Sequence, residues 1–377
     1  MKVCFFGTYE ENYSRNQLIQ KALGALGHSV EECHVSLWKG EVDKSNVLKG
    51  WRGKVAFLYR LVSLYPSLFI RYLKAPRHDV MVVGYFGHLD VIVARLFSLV
   101  LRRRERIIFD AFLSLYDSMI LDRKMASKGS MLARLVKWLD RKACESADVV
   151  LLDTEHHIEF FEQEFVVNRS KMVRVFASAD TEVFYPRESV GDKGRFRVLF
   201  YGKYIPLHGI EHIVDAASIL RDDEGIAFTF IGKGQLYREV RARVDSLALT
   251  NIDFIEWVDY EALPEYIAEA DICLGIFAAS AKSGRVIPNK VFQAMAMGKP
   301  IITARTPGAS EGLVDRENVL FCEPGDSEDL ARAIRMLRSD HELAVKIAAG
   351  AKQTFDREFG PIAVRAAVSR ALEIATS

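Results

Sequence analysis

The chain predicts an α/β fold made of two Rossmann-like halves, each a parallel sheet flanked by helices, facing each other across a cleft. Three observations predict it. The 377 residues suffice for two domains of ordinary size. Short apolar runs that end in glycine or a polar residue alternate with amphipathic helical stretches almost from end to end, and this βαβ alternation implies parallel sheets. A turn-rich polar segment, Asp180 to Asp192 (DTEVFYPRESVGD), interrupts the alternation near the middle and reads as a linker. The expected division is an N-terminal domain at 1–185, a C-terminal domain at 193–355, and a closing helical segment at 356–377 that can cross back to the first domain.

In the first half, Lys2 to Phe6 is a strand ending at Gly7, a helix runs from Asn16 to Leu26, and Val30 to Leu37 is a second strand. An alternation of apolar, aromatic and basic residues fills Trp51 to Leu73, which Pro66 is expected to divide into two helices. Asp79 to Gly84 is a strand followed by Gly87 and His88, and Asp90 to Val100 is a helix. Ile107 to Phe109 is a strand that delivers Asp110 to its tip. Asp117 to Lys128 is polar and poorly patterned, as a loop would be. Ser130 to Ala147 is an amphipathic helix, Val149 to Leu152 a strand ending at Asp153, and Lys171 to Phe176 the last strand of this half.

In the second half the strands are Arg197 to Tyr201, Ala227 to Ile231, Ile252 to Ile255, Asp271 to Phe277, Ile301 to Ala304 and Asn318 to Cys322. Helices are expected at His208 to Leu220, Leu263 to Glu269, Lys290 to Met297, Ser327 to Leu337, Ser339 to Phe355 and Pro361 to Ala375. The segment Phe277 to Thr303 organises this half. In it, Asn289 is expected as the N-cap of a helix that Gly298 stops and Pro300 keeps from resuming.

Composition narrows the function. With 50% hydrophobic and 27% charged residues the chain is globular, and a net charge of +1 excludes a broadly basic nucleic-acid binder. The charge is uneven: Lys44 to Arg106 holds 13 Lys and Arg against 3 Asp and Glu. That asymmetry points to an anionic surface or substrate near the first half. Five scattered cysteines without metal-ligand spacing fit a reduced, cytoplasmic protein. The N-terminus turns polar after six residues, which reads as a strand rather than a signal peptide. Trp51 to Lys74 leaves two readings open: amphipathic helices resting on an anionic membrane, which would place the protein peripherally at the inner face, or helices packed on the first sheet with a solvated basic rim.

The chemistry-bearing pattern is a repeated strand, glycine, helix device at Gly202, at Gly232 and in the loop from Gly284 to Lys290. Glycine at a strand tip lets backbone approach a ligand, and a helix N-terminus favours an anion. Arg285 and Lys290 add two cations there, so a diphosphate is the expected guest. No GxGxxG, no P-loop, no clustered zinc ligands and no G-x-S-x-G elbow is present.

These features resemble the retaining glycosyltransferases of the GT-B fold, family 4, the glycosyl transferases group 1 set. The resemblance lies in FYGKYIPLHGIEHIVDAASIL, TFIGKG, WVDYEALPEYIAEADICLGIF and IPNKVFQAMAMGKPIITARTPGASEGLVDRENVLFCEPGD, and more loosely in FASADTEVFYP. It implies transfer of a sugar from a nucleotide-diphosphate donor with retention of configuration. The acceptor would be a glycan, a lipid-linked or a small molecule, and neither a metal nor another cofactor would be needed. It implies catalytic roles for His88, Lys203, Arg285 and Lys290. It implies donor contacts from Gly7, Gly202, His208, Gly232, Lys233, Trp257, Val258, Gly284, Val286, Ile287, Asn289 and Gln293. Tyr9, Arg15, Asp110 and Asp153, at strand tips of the first half, fall on the acceptor side. Arg15 and Gln293 each have a plain alternative as solvated helix residues. The chain departs from the family where two glutamates are usual: Arg285 and Gln293 stand there. A non-catalytic nucleotide-sugar binder or partner subunit, or a nucleotide-sugar epimerase, therefore stays open beside the transferase.

Overall fold

The computed structural model describes residues 1–37, 50–103, 105–189 and 194–377, and in the helix opening at Gly50 it describes the side chains of Ala56 and of Tyr59 onward. The side chains of Trp51, Arg52, Lys54 and Phe57, and the end of the expected linker at 190–192, lie outside the described residues. The chain divides into two units. One comprises Met1–Asp153, His157–Phe176 and Val364–Ser377, and the other Thr154–His156 and Ala177–Ala363.

The first unit is built on a six-stranded, all-parallel sheet of β1 (Lys2–Gly7), β2 (Ser29–His34), β3 (Val80–Val83), β4 (Arg106–Asp110), β5 (Val149–Leu152) and β6 (Met172–Arg174). Their spatial order is β2-β1-β3-β4-β5-β6. Every residue of β3 and β5 is buried, as both faces of a helix-covered parallel sheet require. The covering helices are α1 (Ser14–Ala25), α2 (Gly50–Lys74), α3 (His88–Val100), α4 (Met131–Ser146) and α5 (Glu155–Phe165). Ser130 caps α4 by accepting from Ala133 N at 3.1 Å.

Two expectations are corrected in this unit, and one helix without an expectation is added. Pro66 does not divide its segment: α2 is continuous from Gly50 to Lys74 with the proline inside it. Pro66 sits on the exposed face, while Leu61, Leu68 and Tyr72 anchor the opposite face in the core. That anchoring offsets the missing backbone hydrogen bond. Asp117 to Lys128 opens with a π-helical turn at Asp117–Asp122 rather than irregular loop. The helix α5 follows β5 directly; its charged run EHHIEFFEQEF masks a buried stripe of His157, Ile158, Phe161 and Phe165.

The second unit repeats the plan with β7 (Phe196–Tyr201), β8 (Ile226–Ile231), β9 (Ile252–Ile255), β10 (Ile272–Leu274), β11 (Ile301–Ala304) and β12 (Leu320–Cys322), all parallel and in the order β12-β11-β10-β7-β8-β9. Its helices are α6 (Ile210–Ile219), α7 (Tyr237–Ser246), α8 (Leu263–Glu269), α9 (Asn289–Ala296), α10 (Ser327–Ser339) and α11 (His341–Thr354). The strand expected at Asp271 to Phe277 pairs only over Ile272–Leu274, and the buried remainder continues as extended loop. A last helix, α12 (Pro361–Thr376), places Val364, Val368, Ala371 and Leu372 in the core of the first unit. Among the described residues, no helix is long and apolar enough to cross a membrane.

Candidate functional site

In the second unit, the carboxyl ends of β7, β8 and β10 bring their following loops together. Gly202 has φ +140° and Gly232 φ +126°, a backbone region open to glycine and strained for other residues. A Cβ on Gly232 would lie 2.1 Å from Gly202 O, so the two loops touch through bare backbone. A Cβ on Gly202 would lie 3.2 Å from His208 Cε1 and 3.2 Å from Lys290 Nζ. The tip glycine thus faces both an imidazole and an amine. His208 O accepts from Phe277 N at 3.0 Å, which ties the loop after β7 to the loop after β10.

The helix α9 closes this cluster. Asn289 is its first residue, not its cap: Pro288, with φ −73° and ψ 150°, takes the cap position and offers no side-chain acceptor. The fixed φ of proline and its bar on helix at the preceding residue set the start one position early. The first-turn N–H groups therefore have no side-chain cap. At the other end Gly298, with φ +64°, stops the helix as expected, and its N–H reaches Met295 O at 3.0 Å.

Lys290 is the unusual residue of this helix. It is buried, its Nζ has no hydrogen-bond partner, and it rests 3.9 Å from the centre of the Phe200 ring. Tyr201 locks the turn by donating its hydroxyl to Lys290 O at 3.0 Å. Burial pushes the ammonium pKa well below its ordinary value, because a charge out of water and without a counter-charge is unfavourable. A phosphate oxygen beside Nζ would supply that missing counter-charge. Gln293, one turn along, is buried rather than solvated.

The other residues expected to meet the donor are more dispersed. Lys203 is exposed, and Lys233 pairs with Glu256 on the surface. Trp257 is exposed and donates Nε1 to Asp259 at 3.2 Å; Val258 is half-buried. Arg285 and Val286 are half-buried and Ile287 is buried. Gly284 has open space where a side chain would be, and its carbonyl accepts from Gly308 N at 2.8 Å.

In the first unit the strand-tip residues are brought together with one another. Arg15 is 2% exposed, not solvated. Its Nε donates to both Asp110 oxygens at 2.9 and 2.8 Å, and its Nη1 to Val175 O at 2.9 Å. Asp153 pairs with His157 Nδ1 at 2.6 Å, and Tyr9 donates its hydroxyl to Glu32 at 2.6 Å. His88 is buried with Nε2 3.1 Å from Asp140, whose carboxylate also accepts from Ser114, Leu115 and Tyr116; its Nδ1 has no partner. Gly7 leaves room for Asp90 rather than for a ligand, since a Cβ there would lie 2.6 Å from Asp90 Oδ2. That carboxylate accepts from Thr8 N at 2.7 Å and from the Tyr65 hydroxyl at 2.9 Å.

Sequence reasoning missed Phe200 and Tyr201 as the floor and latch of Lys290, and Asp90 and Asp140 as the carboxylates that hold the first unit's loops. The signal for the acids was their position: Asp90 sits in the first turn of α3, and Asp140 interrupts the apolar face of α4. A cavity of about 590 Å³ lined by Glu311, Glu317, Lys346, Gln353 and Arg357 is separate from the Gly202 cluster, none of whose residues lines it. Among the described residues no group of three or more His, Cys, Asp or Glu is placed to hold a metal ion.

Residues 195–340, which contain the whole Gly202 to Gln293 cluster, match the family model described as glycosyl transferases group 1. The lipopolysaccharide core biosynthesis glycosyltransferase LpsE of Rhizobium meliloti is 24% identical over 168 residues, covering 44% of this chain and 46% of its own. The chitobiosyldiphosphodolichol beta-mannosyltransferase of Candida albicans is 23% identical over 281 residues, covering 69% and 60%. The chain spans about half the length of the first curated relatives it matches. Two solved structures are similar over nearly all of both chains. Anabaena HepE in complex with UDP has a TM-score of 0.71 at 15% identity, covering 99% of this chain and 100% of that one. Sucrose-phosphate synthase from Thermosynechococcus elongatus has a TM-score of 0.72 at 15% identity, covering 99% and 98%. Residues 195–340 thus carry a glycosyl transferases group 1 domain, in a chain with the GT-B fold of two Rossmann-like units.

Proposed function

We propose that the second unit binds a nucleotide-diphosphate sugar and that the chain transfers the sugar, with retention of configuration, to a glycan, lipid-linked or small-molecule acceptor. The observation that carries this reading is the buried Lys290 amine, without a hydrogen-bond partner, facing Gly202 and His208 inside the region that matches the family model. A diphosphate laid along Gly202 and Gly232 would meet bare backbone, the uncapped start of α9, and the amine. As the bond to the sugar breaks, charge grows on the leaving diphosphate. Donors already fixed in a dry site lower that barrier without reorganising. Lys290 and His208 are assigned this role, with Arg285 and Lys203 as further cations of the same loops. Gln293 is assigned a hydrogen bond to the donor's sugar or ribose hydroxyls through its amide. The chain's own cations carry the diphosphate charge in this reading, and no metal is assigned. The first unit takes the acceptor, with His88 the assigned contact.

Complexes of HepE with UDP-glucose support the donor class by likeness of fold. The test is a calorimetric and thermal-shift screen of nucleoside diphosphates, followed by turnover of the matching nucleotide sugars with and without a chelator. Binding, followed by hydrolysis or transfer that survives chelation, with a product whose anomeric configuration by NMR matches the donor, supports the reading. Failure of every nucleoside diphosphate to bind overturns it. The replacement of two usual glutamates by Arg285 and Gln293 favours one second reading, a nucleotide-sugar binder without turnover, and binding with no transfer or hydrolysis would select it.

A further inference from the structure

The outward stripe of α2 is apolar where a helix packed on a sheet should be polar. Tyr59, Val62, Ile70 and Leu73 are all exposed, at spacings that keep them on one face, and Tyr59 is 77% exposed. The opposite stripe, through Leu61, Leu68 and Tyr72, faces the core, so this outer face is not a misread inner one. The carboxyl end of α3 shows the same inversion, with Leu96, Leu99 and Val100 between 55% and 66% exposed. The two ends are neighbours: Phe69 packs on Phe97 at 4.7 Å, and Arg103 lies over the Tyr72 ring at 4.5 Å. The apolar side chains therefore form one patch, a kind of surface that marks an interaction site.

Cations outnumber anions around the patch. Arg71, Lys74, Arg77 and Arg102 are exposed along its margin, and Arg106 beside them pairs with Asp148 at 3.5 Å. The carboxylates of the same stretch are turned inward or occupied. Glu105 is 5% exposed, accepting from Tyr72 and Ser98, and Asp90 is buried against Thr8 and Tyr65. Asp79, exposed at the start of β3 beside Arg106, is occupied: its carboxylate accepts from Lys2 N at 2.9 Å.

We propose that the outer face of α2 and the carboxyl end of α3 form a docking surface for an anionic lipid bilayer. The apolar side chains would sink into the headgroup boundary while the arginines and lysines meet lipid phosphates. Charge decides against the other obvious occupant. A second copy meeting this face about a twofold axis would set cation against cation, whereas an anionic bilayer complements it everywhere. The inference is independent of the donor site and stands or falls apart from the transfer reading.

The experiment is sedimentation of the full chain with vesicles of phosphatidylglycerol and, separately, of phosphatidylcholine, at low and high salt. Binding to phosphatidylglycerol at low salt, weakened by salt and absent on phosphatidylcholine, is expected, since exposed charges are screened. Ile70→Glu with Leu99→Glu should reduce bound protein roughly tenfold, and Arg71→Gln with Lys74→Gln should remove most of the salt dependence. All four positions are exposed, so an unchanged melting curve verifies folding, and the glutamine pair serves as the milder variant. Absence of pelleting on phosphatidylglycerol at low salt overturns the proposal. So does wild-type binding by both variants, or a concentration-dependent dimer that the glutamate pair dissolves, which would assign the face to a second copy.

Discussion

The two units carry the same kind of residue at the same kind of place and treat it in opposite ways. At the strand tips of the first unit, Arg15 is buried but held on Asp110, Asp153 on His157, and His88 on Asp140. At the strand tips of the second unit, Lys290 is as deeply buried and has no acceptor at all. A buried charge with its counter-charge in place is part of the scaffold, since removing either partner strands the other. A buried amine without one is an unmet demand, which a ligand can supply. The difference assigns rigidity to the Arg15 and Asp153 pairs and recognition to Lys290, and each half of that statement can be broken separately.

The largest expected effect tests the scaffold half. Arg15→Leu leaves the Asp110 carboxylate buried and unpaired, and should lower the stability of the chain by about 3–5 kcal/mol in urea unfolding. Burial already raises the Asp110 pKa against the pull of Arg15, so the variant should recover part of the loss at acid pH, where the carboxyl is protonated. Nucleoside-diphosphate affinity of the protein that remains folded should be unchanged. A variant as stable as wild type would show that the pair is not structural.

Next comes the recognition half. Lys290→Ala removes the amine and should weaken nucleoside-diphosphate binding by roughly a hundredfold in calorimetry, the scale of a charge-assisted contact in a dry site. Gly202→Ala should follow, with roughly tenfold weaker binding. Its φ of +140° strains any side chain, and its Cβ would crowd His208 and Lys290 at 3.2 Å. If Lys290→Ala binds like wild type, the amine is an ordinary buried lysine and the contrast between the units disappears.

Much of this was legible in the sequence and some could not be. Val149–Leu152 and Ile301–Ala304 came out residue for residue, because parallel strands buried on both faces are short apolar runs with clear ends. Gly298 as the stop of α9 was equally plain. The pairing of Arg15 with Asp110 was not, because the partners are 95 residues apart and only the β1–β3–β4 order brings them together. Asn289 looked like a cap by residue preference, but the backbone of Pro288 outranked it. Gln293 kept a solvated alternative to its donor role, because a polar residue on an eight-residue helix gives no sign that nearly the whole helix is buried.

A smaller effect reads the same amine through stability. Unfolded, Lys290 keeps its proton up to about pH 10.5. Folded, burial makes it give up that proton well below this value. The unfolded chain therefore binds more protons between the two values, and stability gained from this group rises as pH rises through that window. Lys290→Met should be more stable than wild type by about 1–3 kcal/mol near neutral pH, because it removes an unpaired buried polar group. The gap should close as the pH approaches the ordinary lysine range. Donor binding should run the opposite way. A diphosphate favours the ammonium form, so affinity should fall as pH rises, and that slope should vanish in the methionine variant. A wild-type melting curve parallel to that of Lys290→Met at all pH values would place a counter-charge beside the amine.

The smallest expected effect sharpens the contrast instead of breaking it. Gln293→Glu restores an acid where the resembling family usually has one, on the buried face of α9 and three residues from Lys290. Two outcomes compete. If the residue meets a hydroxyl of the donor, the carboxylate strengthens that hydrogen bond by charge assistance, and turnover or affinity rises a few-fold, about 0.5–1 kcal/mol. If its side chain instead reaches the amine within the empty site, the new carboxylate supplies the counter-charge that Lys290 lacks, the protein gains stability, and diphosphate affinity falls because the amine is already satisfied. Measuring Tm and nucleoside-diphosphate affinity on the one variant separates the cases: affinity up at unchanged Tm places Gln293 on the donor, whereas Tm up with affinity down shows that the site recognises its ligand by the very charge imbalance that the glutamate cancels.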